Sequence, residues 1–319
     1  MSTGTAASPA VVTGGAGAIG SVLVGRLAAA GREVRVLDNL SSGRRDHLPQ
    51  ASSPGQVILT ETDLRTDAHP DAFRGAGEVW HLAANPDIRL GTENPRLDLD
   101  HGTVATFNVL EAARRADVPR ILFSSSSVVY GLPTVFPTPE EYGPLLPQSL
   151  YGASKLASEG LLSAYAHCYG IRAHIFRFAN IIGPTMTHGV IYDFIQKLRA
   201  DASRLEVLGD GRQSKSYLLV GDCVDAMLLA RDRANALTNV FNLGTPDRIS
   251  VKEIAEIVVR AFGGRAAIQF TGGERGWAGD VPQQLLAIDR ISKLGWKPTA
   301  SSREAVERTV AHLVPAGGR

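Results

Sequence analysis

Short apolar runs alternate with longer amphipathic stretches over residues 1–180. Ala10-Val11-Val12 is the first such run, and an Ala/Leu-rich helical pattern follows from Ser21 to Ala30 until Gly31 stops it. A second run, Val34-Arg35-Val36-Leu37, ends in Asp38. Val57-Ile58-Leu59, Val79-Trp80-His81-Leu82, Arg120-Ile121-Leu122-Phe123 and the stretch Ala173 to Phe178 read as further strands. Between them, Leu97 to Arg115 carries Val104, Phe107, Leu110 and Ala112 at helical spacing, and Leu150 to Tyr169 reads as a long helix. Strands separated by helices of this length predict an α/β fold with a doubly wound parallel sheet and right-handed crossovers. Ligands of such sheets sit at the carboxyl ends of the strands.

Past Asn180 the alternation breaks at Gly183-Pro184 and His188-Gly189. A short helix is expected from Val190 to Leu198, and Leu205-Glu206-Val207-Leu208 leads into the turn Gly209-Asp210-Gly211. Val240-Phe241-Asn242-Leu243 reads as a strand returning to the main sheet, before a helix from Val251 to Phe262. The expected organisation is a larger domain over 1–180, with a return segment about 239–263, and a smaller, discontinuous α/β domain over 181–319.

Composition excludes more than it selects. The net charge is +1 with no long run of either sign, so neither nucleic acid nor an anionic membrane is an expected partner. Cys168 and Cys223 form no metal-binding pair or disulfide framework, and a reducing cytoplasm is the expected compartment. No metal site is expected. No stretch approaches the ~18 apolar residues of a membrane span, and residues 1–9 lack the charged and apolar regions of a secretory leader.

Chemistry enters between the first strand and first helix, at Thr13-Gly14-Gly15-Ala16-Gly17-Ala18-Ile19-Gly20. Glycines here let backbone N–H groups approach a pyrophosphate at a helix N-terminus, where the helix dipole favours an anion. Asp38, closing the next strand, suits the two hydroxyls of an adenosine ribose and repels a 2′-phosphate, which favours NAD over NADP. Arg44 and Arg45 follow closely, but six residues beyond an acid that fills the ribose position they read as a solvated loop.

Tyr151 and Lys155 lie at i and i+4, on one face of the long helix. An ammonium near a phenol stabilises the phenolate, so the tyrosine becomes able to take a proton near neutral pH. The serines Ser124-Ser125-Ser126-Ser127 close a predicted strand, where one hydroxyl can hold a reacting oxygen and the others merely terminate the strand.

The three-residue glycine spacing resembles the extended short-chain dehydrogenase/reductase superfamily. Within it, the chain resembles the NAD-dependent sugar-nucleotide epimerases, most of all the UDP-galactose (UDP-glucose) 4-epimerases. The resemblance runs from Val11 to about Pro298. It rests on the glycine loop, Asp38-Asn39-Leu40-Ser41-Ser42-Gly43, Asp63-Leu64, His81-Leu82-Ala83-Ala84 and Phe107-Asn108-Val109-Leu110-Glu111. The serine run with Val129-Tyr130-Gly131, the Tyr151/Lys155 pair and Arg177-Phe178-Ala179-Asn180-Ile181-Ile182-Gly183-Pro184 extend it. Leu208-Gly209-Asp210-Gly211, Gly279-Asp280-Val281-Pro282 and Gly295-Trp296-Lys297-Pro298 complete it.

The resemblance implies a Rossmann-like fold, bound NAD, a UDP-sugar substrate and a homodimer built on the helices 97–115 and 150–169. It implies catalytic roles for Ser126, Tyr151 and Lys155. Toward NAD it implies Gly14, Gly17 and Gly20 with Ala18 and Ile19, then Asp38 with Asn39, Ser42 and Gly43. Asp63 and Leu64, the Leu82-Ala83-Ala84 segment, and Ser124 with Tyr151 and Lys155 join them. Toward the sugar nucleotide it implies Ser126, Tyr151, Asn180, Val190, Ile191, Lys215 and Arg275.

The chain also departs from the family pattern. Lys215 stands where an Arg is usual, keeping the charge but losing the planar fork. Trp277 takes the place of an Arg near the C-terminus, with Arg275 the available substitute, and Gly102 takes the place of an Asn six before Asn108. Related dehydratases and decarboxylases carry a Glu two before the Tyr of the Tyr-Gly pair; here that residue is Val128, which exchanges no protons. The reading is therefore 4-epimerisation of UDP-glucose and UDP-galactose. The alternatives are a nucleotide-sugar 4-dehydrogenase or ketoreductase, an epimerase for N-acetylhexosamines or uronic acids, and a non-catalytic NAD-binding regulator.

Overall fold

The structure, a computed structural model, describes residues 8–49, 54–66, 68–277 and 279–315. The chain opens with β1 (Ala10–Thr13), α1 (Ala18–Ala29), β2 (Val34–Asp38), β3 (Val57–Glu61) and β4 (Glu78–His81). Next come α2 (Ile88–Glu93), α3 (Pro95–Asp98), a π-helical segment (Leu99–Val104), α4 (Ala105–Arg115), β5 (Arg120–Ser126), α5 (Leu150–Tyr169) and β6 (Arg172–Phe178). The later chain contributes β7 (Asn180–Ile182), α6 (Val190–Ala200), β8 (Arg204–Val207), β9 (Ser214–Lys215), β10 (Tyr217–Leu219) and α7 (Val220–Arg233). It ends with β11 (Thr238–Leu243), β12 (Ile249–Ser250), α8 (Val251–Ala261), β13 (Ala267–Phe270), β14 (Gln283–Gln284), α9 (Asp289–Lys293) and α10 (Ser302–Leu313).

Seven strands form one sheet in the order β11-β6-β5-β4-β1-β2-β3. β1 pairs in parallel with both β2 and β4, β2 with β3, and β4 with β5. This is the doubly wound parallel sheet that the alternation predicts. All of β1 and β4 is buried, as parallel strands covered by helices on both faces must be, whereas the edge strand β3 is largely half-exposed. The apolar run at 240–243 does return to this sheet, as the end of β11 beside β6.

Two compact units divide the chain. The first holds 1–125, 153–176 and 230–240, and the second 126–152, 177–229 and 241–319. In the first, Val11, Leu37, Phe73, Val109 and Phe123 belong to one core around the sheet. In the second, Ile191, Phe194 and Leu198 of α6 pack with Ile254 and Val258 of α8 and with Val306 and Val310 of α10.

Local chemistry sets the helix ends. Gly31, at φ +79°, closes α1 with its N–H on Ala28 O at 2.9 Å, while Arg32 N reaches Leu27 O at 3.1 Å, a left-handed C-terminal cap. α8 and α10 both open with capping boxes, Ser250 with Glu253 and Ser301 with Glu304. One helix differs from expectation. The pattern 97–115 is not a single α-helix, because residues 99–104 widen into a π turn around Gly102. Gly102 O accepts the Thr106 hydroxyl at 2.6 Å, and a Cβ on Gly102 would collide with Ser154 Oγ. π turns of this kind are rare and appear mostly as single-turn bulges within α-helices.

Removing one capping box should be felt in the second unit alone. Ser250→Ala is expected to cost about 1 kcal/mol, read as a lower urea midpoint for the unfolding step that reports the second unit.

Candidate active site

The glycine loop is built by close approach. Gly14 sits at φ +67°, and a Cβ on it would lie 2.7 Å from Ala83 N. No L side chain fits that space or favours that backbone. A Cβ on Gly20 would run into Gly14 O, so the first turn of α1 rests directly on the loop. Gly17 is the N-cap of α1 and supplies no side-chain cap, and Ala18 and Ile19 form the first helical residues. Across the loop, Leu82 N donates to Thr13 O at 3.1 Å, which brings the Leu82-Ala83-Ala84 segment after β4 alongside.

Asp38 is buried at the end of β2. Its carboxylate accepts from Ala16 N of the loop and from Leu40 N, each at 2.9 Å. It therefore stands beside the helix terminus that the glycines open. The Asn39–Gly43 loop packs against the same place: a Cβ on Gly43 would lie 2.9 Å from Ala16, and Arg44 N donates to Ala16 O at 3.0 Å. Ser42 is exposed within that loop. Arg44 pairs with Asp46 at 2.5 Å and Arg45 with Glu61 at 3.4 Å, all well exposed, in keeping with a solvated loop rather than a phosphate clamp. Asp63 is ion-paired with Arg65, which holds its carboxyl below the usual range, and the buried Leu64 gives its carbonyl to Asn108 Nδ2 at 2.8 Å.

A line of polar groups runs through the interior behind these residues. Thr13 Oγ1 meets His81 Nδ1 at 2.7 Å, and His81 Nε2 meets Thr106 Oγ1 at 3.0 Å. Burial, with the nearby Lys155, drives His81 down to about 3, so it stays neutral. Ser158 Oγ reaches Thr106 Oγ1 at 3.1 Å and donates to Ser154 O at 2.9 Å, which ties α5 to α4.

Lys155 is 2 % exposed. Its Nζ donates to Ser124 O at 2.6 Å and lies 4.7 Å from the centre of the Phe123 ring. Burial pushes the ammonium down to about 7, against the pull of Glu159 and Asp98 toward the charged form. Ser124 Oγ donates to His81 O at 3.3 Å. Every residue expected at the cofactor, Tyr151 apart, thus lies in the first unit.

Ser126, Tyr151 and the residues expected at the sugar nucleotide belong to the second unit. Ser126 ends β5 and caps a short 3₁₀ turn, Ser127–Tyr130, through Val128 N at 3.4 Å. Tyr151 is half-buried, the second residue of α5 and one turn before Lys155. Tyr130 is a structural tyrosine: its hydroxyl donates to Asn242 Oδ1 at 2.8 Å and accepts from Arg177 at 3.0 Å, while burial pushes it up to about 12. Asn180 Nδ2 donates to Ser216 O at 3.0 Å. Val190 is half-buried at the start of α6, whereas Ile191 has no exposed surface and is core. Lys215 is paired with Asp280 at 2.7 Å, and Asp280 also accepts Gly276 N at 3.1 Å; Arg275 is exposed on the same segment.

Sequence reasoning passed over His81's hydrogen bonds, Asp98 and Glu159. The last was accessible, since it extends Tyr151 and Lys155 by another four residues on the same helix face. The space beside Gly102 is filled by Ser154, which no spacing announces.

A parallel sheet with an open glycine cradle at a helix terminus, an acid closing the second strand and a Tyr-x-x-x-Lys helix defines an extended short-chain dehydrogenase/reductase fold with an NAD site. Residues 10–244 match the model of the NAD dependent epimerase/dehydratase family, and the chain belongs to that family. A UDP-galactose 4-epimerase of known structure is similar to it with a TM-score of 0.87 and 43% identity, over 96% of this chain and 98% of that one. The UDP-glucose 4-epimerase of Mycolicibacterium smegmatis is 33% identical over 94% of this chain and 96% of its own length. UDP-glucuronic acid decarboxylase 1 of Arabidopsis thaliana is 31% identical over 94% of this chain and 68% of its own length. The cofactor is NAD, and the cradle at Gly14 with the carboxylate of Asp38 beside it fits that group.

Two measurements check this site. Asp38→Ala should weaken NAD binding and narrow the preference for NAD over NADP, as read by fluorescence titration with each cofactor. The second concerns pH. Burial brings the Lys155 ammonium down to about 7; with Lys155 in the cofactor site, the cofactor-free protein should bind NAD more weakly at pH 8.5, where the charge is lost, than at pH 6.5. Equal affinity at both would remove Lys155 from the cofactor site.

Proposed function

We propose that this chain is an NAD-dependent UDP-hexose 4-epimerase that interconverts UDP-glucose and UDP-galactose. The observation that carries the reading is Val128. The turn after Ser126 offers Ser127, Val128, Val129 and a Tyr130 locked to Asn242 and Arg177. No group in it can deliver or remove a proton during elimination of water or loss of a carboxylate, so the family's dehydratase and decarboxylase chemistry lacks its acid here.

Tyr151, as phenolate, takes the proton of the sugar 4-hydroxyl. Lys155, one turn along the same helix, favours the phenolate by its charge. Ser126 hydrogen-bonds the same oxygen and fixes its position. NAD, held by the glycine loop and Asp38, would supply a reversible acceptor for the hydride of C4. A sugar reduced on its other face must turn while its diphosphate stays held. The cations near that diphosphate are Lys215 and Arg275, with Asn180 beside them and Val190 toward the nucleotide. Lys215 would exchange part of its contact with Asp280 for the phosphate.

The functional protein is a homodimer in the cytoplasm. The large exposed apolar side chains Leu99 and Phe107, and Tyr169 at the end of α5, support pairing through these helices. Both cysteines are free thiols, as a reducing compartment requires. Light scattering at micromolar concentration should give twice the chain mass.

Incubation with UDP-glucose, without added cofactor once NAD is bound, should yield UDP-galactose by chromatography with no net NADH. A 4-keto-6-deoxy product, carbon dioxide from UDP-glucuronate, or steady NADH accumulation would overturn the reading. Conversion only of N-acetylhexosamine or uronic acid forms would keep the mechanism and replace the substrate. Tyr151→Phe should lower turnover by ~10²–10⁴-fold, and Lys155→Ala should lower both turnover and cofactor affinity.

A further inference from the structure

Glu159 has no part in the chemistry above, yet it is only 6 % exposed. It stands one helical turn after Lys155 on α5. Ser125 Oγ lies 2.5 Å from Glu159 Oε1 and donates to it. The preceding residue, Ser124, gives its carbonyl to Lys155 Nζ at 2.6 Å. Two consecutive residues at the end of β5 therefore hold two consecutive turns of α5, one through a cation and one through an anion. Ser125 is itself 2 % exposed, so this contact is sealed from water.

A buried carboxylate is costly unless its charge is used. Glu159 on its own helix and Asp98 from α3 act on the charge of Lys155, Lys155 in turn acts on His81 from β4, and Tyr151 stands one turn before it on α5. His81 is neutral, and Asp98 is held above the usual carboxylate range by burial. Glu159 is the stronger of the two influences that keep Lys155 charged.

We infer that Glu159 is a positioning residue: hung from the Ser125 hydroxyl, its carboxylate keeps the Lys155 amine cationic and fixed at the end of β5. The inference rests on the roles proposed for Tyr151 and Lys155. It gives Ser125 a task distinct from that of Ser126, and it makes the serine run a device with separate outward and inward members. Removing the negative charge lowers the affinity of Lys155 for its proton. The neutral amine then appears at lower pH, and with it the loss of phenolate stabilisation.

The test compares the NAD-loaded wild-type protein with Glu159→Gln, Ser125→Ala and Ser125→Thr. Lysine labelled with carbon-13 at the methylene beside the amine reports the titration of Lys155, assigned by its absence from Lys155→Met. This readout needs no sugar chemistry. In Glu159→Gln the Lys155 titration should move down by about one pH unit or more, and the alkaline limb of the kcat/KM profile should move with it. Ser125→Ala should move both in the same direction by less, and Ser125→Thr, which keeps the hydroxyl, should restore wild-type behaviour. A Lys155 titration unmoved in Glu159→Gln overturns the inference, as does a uniform loss of rate at every pH. If Glu159→Gln does not fold, an unmoved titration in Ser125→Ala overturns it instead. A shifted titration in a protein that converts no UDP-hexose would sink the proposed function and leave this inference standing. Epimerisation with an unshifted titration would do the reverse.

Discussion

Lys155 carries a positive charge into the interior, and the architecture around it is arranged to make that tolerable. Burial alone would discharge an ammonium well below neutral pH. Here burial is opposed by Glu159 and Asp98, and the ammonium comes down only to about 7. The Ser124 carbonyl at 2.6 Å, the Phe123 ring and two carboxylates supply the compensation. The first two depend on β5 running on from its apolar stretch into its serines beside Lys155.

The polar line from Thr13 through His81 and Thr106 to Ser158 has a different task. It crosses from β1 and β4 to α4 and α5, and it pairs buried hydroxyls with one neutral imidazole. Buried polar groups that satisfy one another specify a register that apolar contacts alone leave free. Thr13 opens the glycine loop and Ser158 stands one turn after Ser154. The line therefore ties the glycine loop to the helix that carries Lys155. Gly102 belongs to the same construction. With no side chain of its own, it admits Ser154 beside it, and the π turn around it presents its carbonyl to Thr106.

The second unit treats charge in another way. Lys215 is bound to Asp280, and Glu140 is buried with its carboxylate accepting Asn242 N at 2.9 Å. The Arg177 guanidinium lies over the Tyr130 ring and donates to the Tyr130 hydroxyl. These contacts lock the Val-Tyr-Gly segment that follows Ser126, which gives the resemblance at that motif a structural cause as well as a chemical one. Exposed Arg275 and half-exposed Lys215 remain the cations of the segment near Gly279-Asp280.

The sheet, the glycine loop, Asp38 at the end of its strand, and the α5 helix with Tyr151 and Lys155 on one face were all legible in the order of residues. Periodicity, glycine spacing and i, i+4 spacing are local properties, and they survive folding unchanged. What depends on segments distant in sequence was not legible. The π turn at 99–104 surrounds Gly102, whose side-chain space is taken by Ser154, about fifty residues away. Ile191 looked equivalent to Val190, yet the turn of α6 puts it wholly in the core. Lys215 gains its Asp280 partner, and Ser125 its Glu159 partner, only when strands and helices come together. Residue types and spacings thus determined which chemistry this chain can carry. Which serine faces the helix, which cation is already paired, and how strongly Lys155 holds its proton were decided by burial and long-range contact, because desolvation and hydrogen bonding do not exist until the chain is packed.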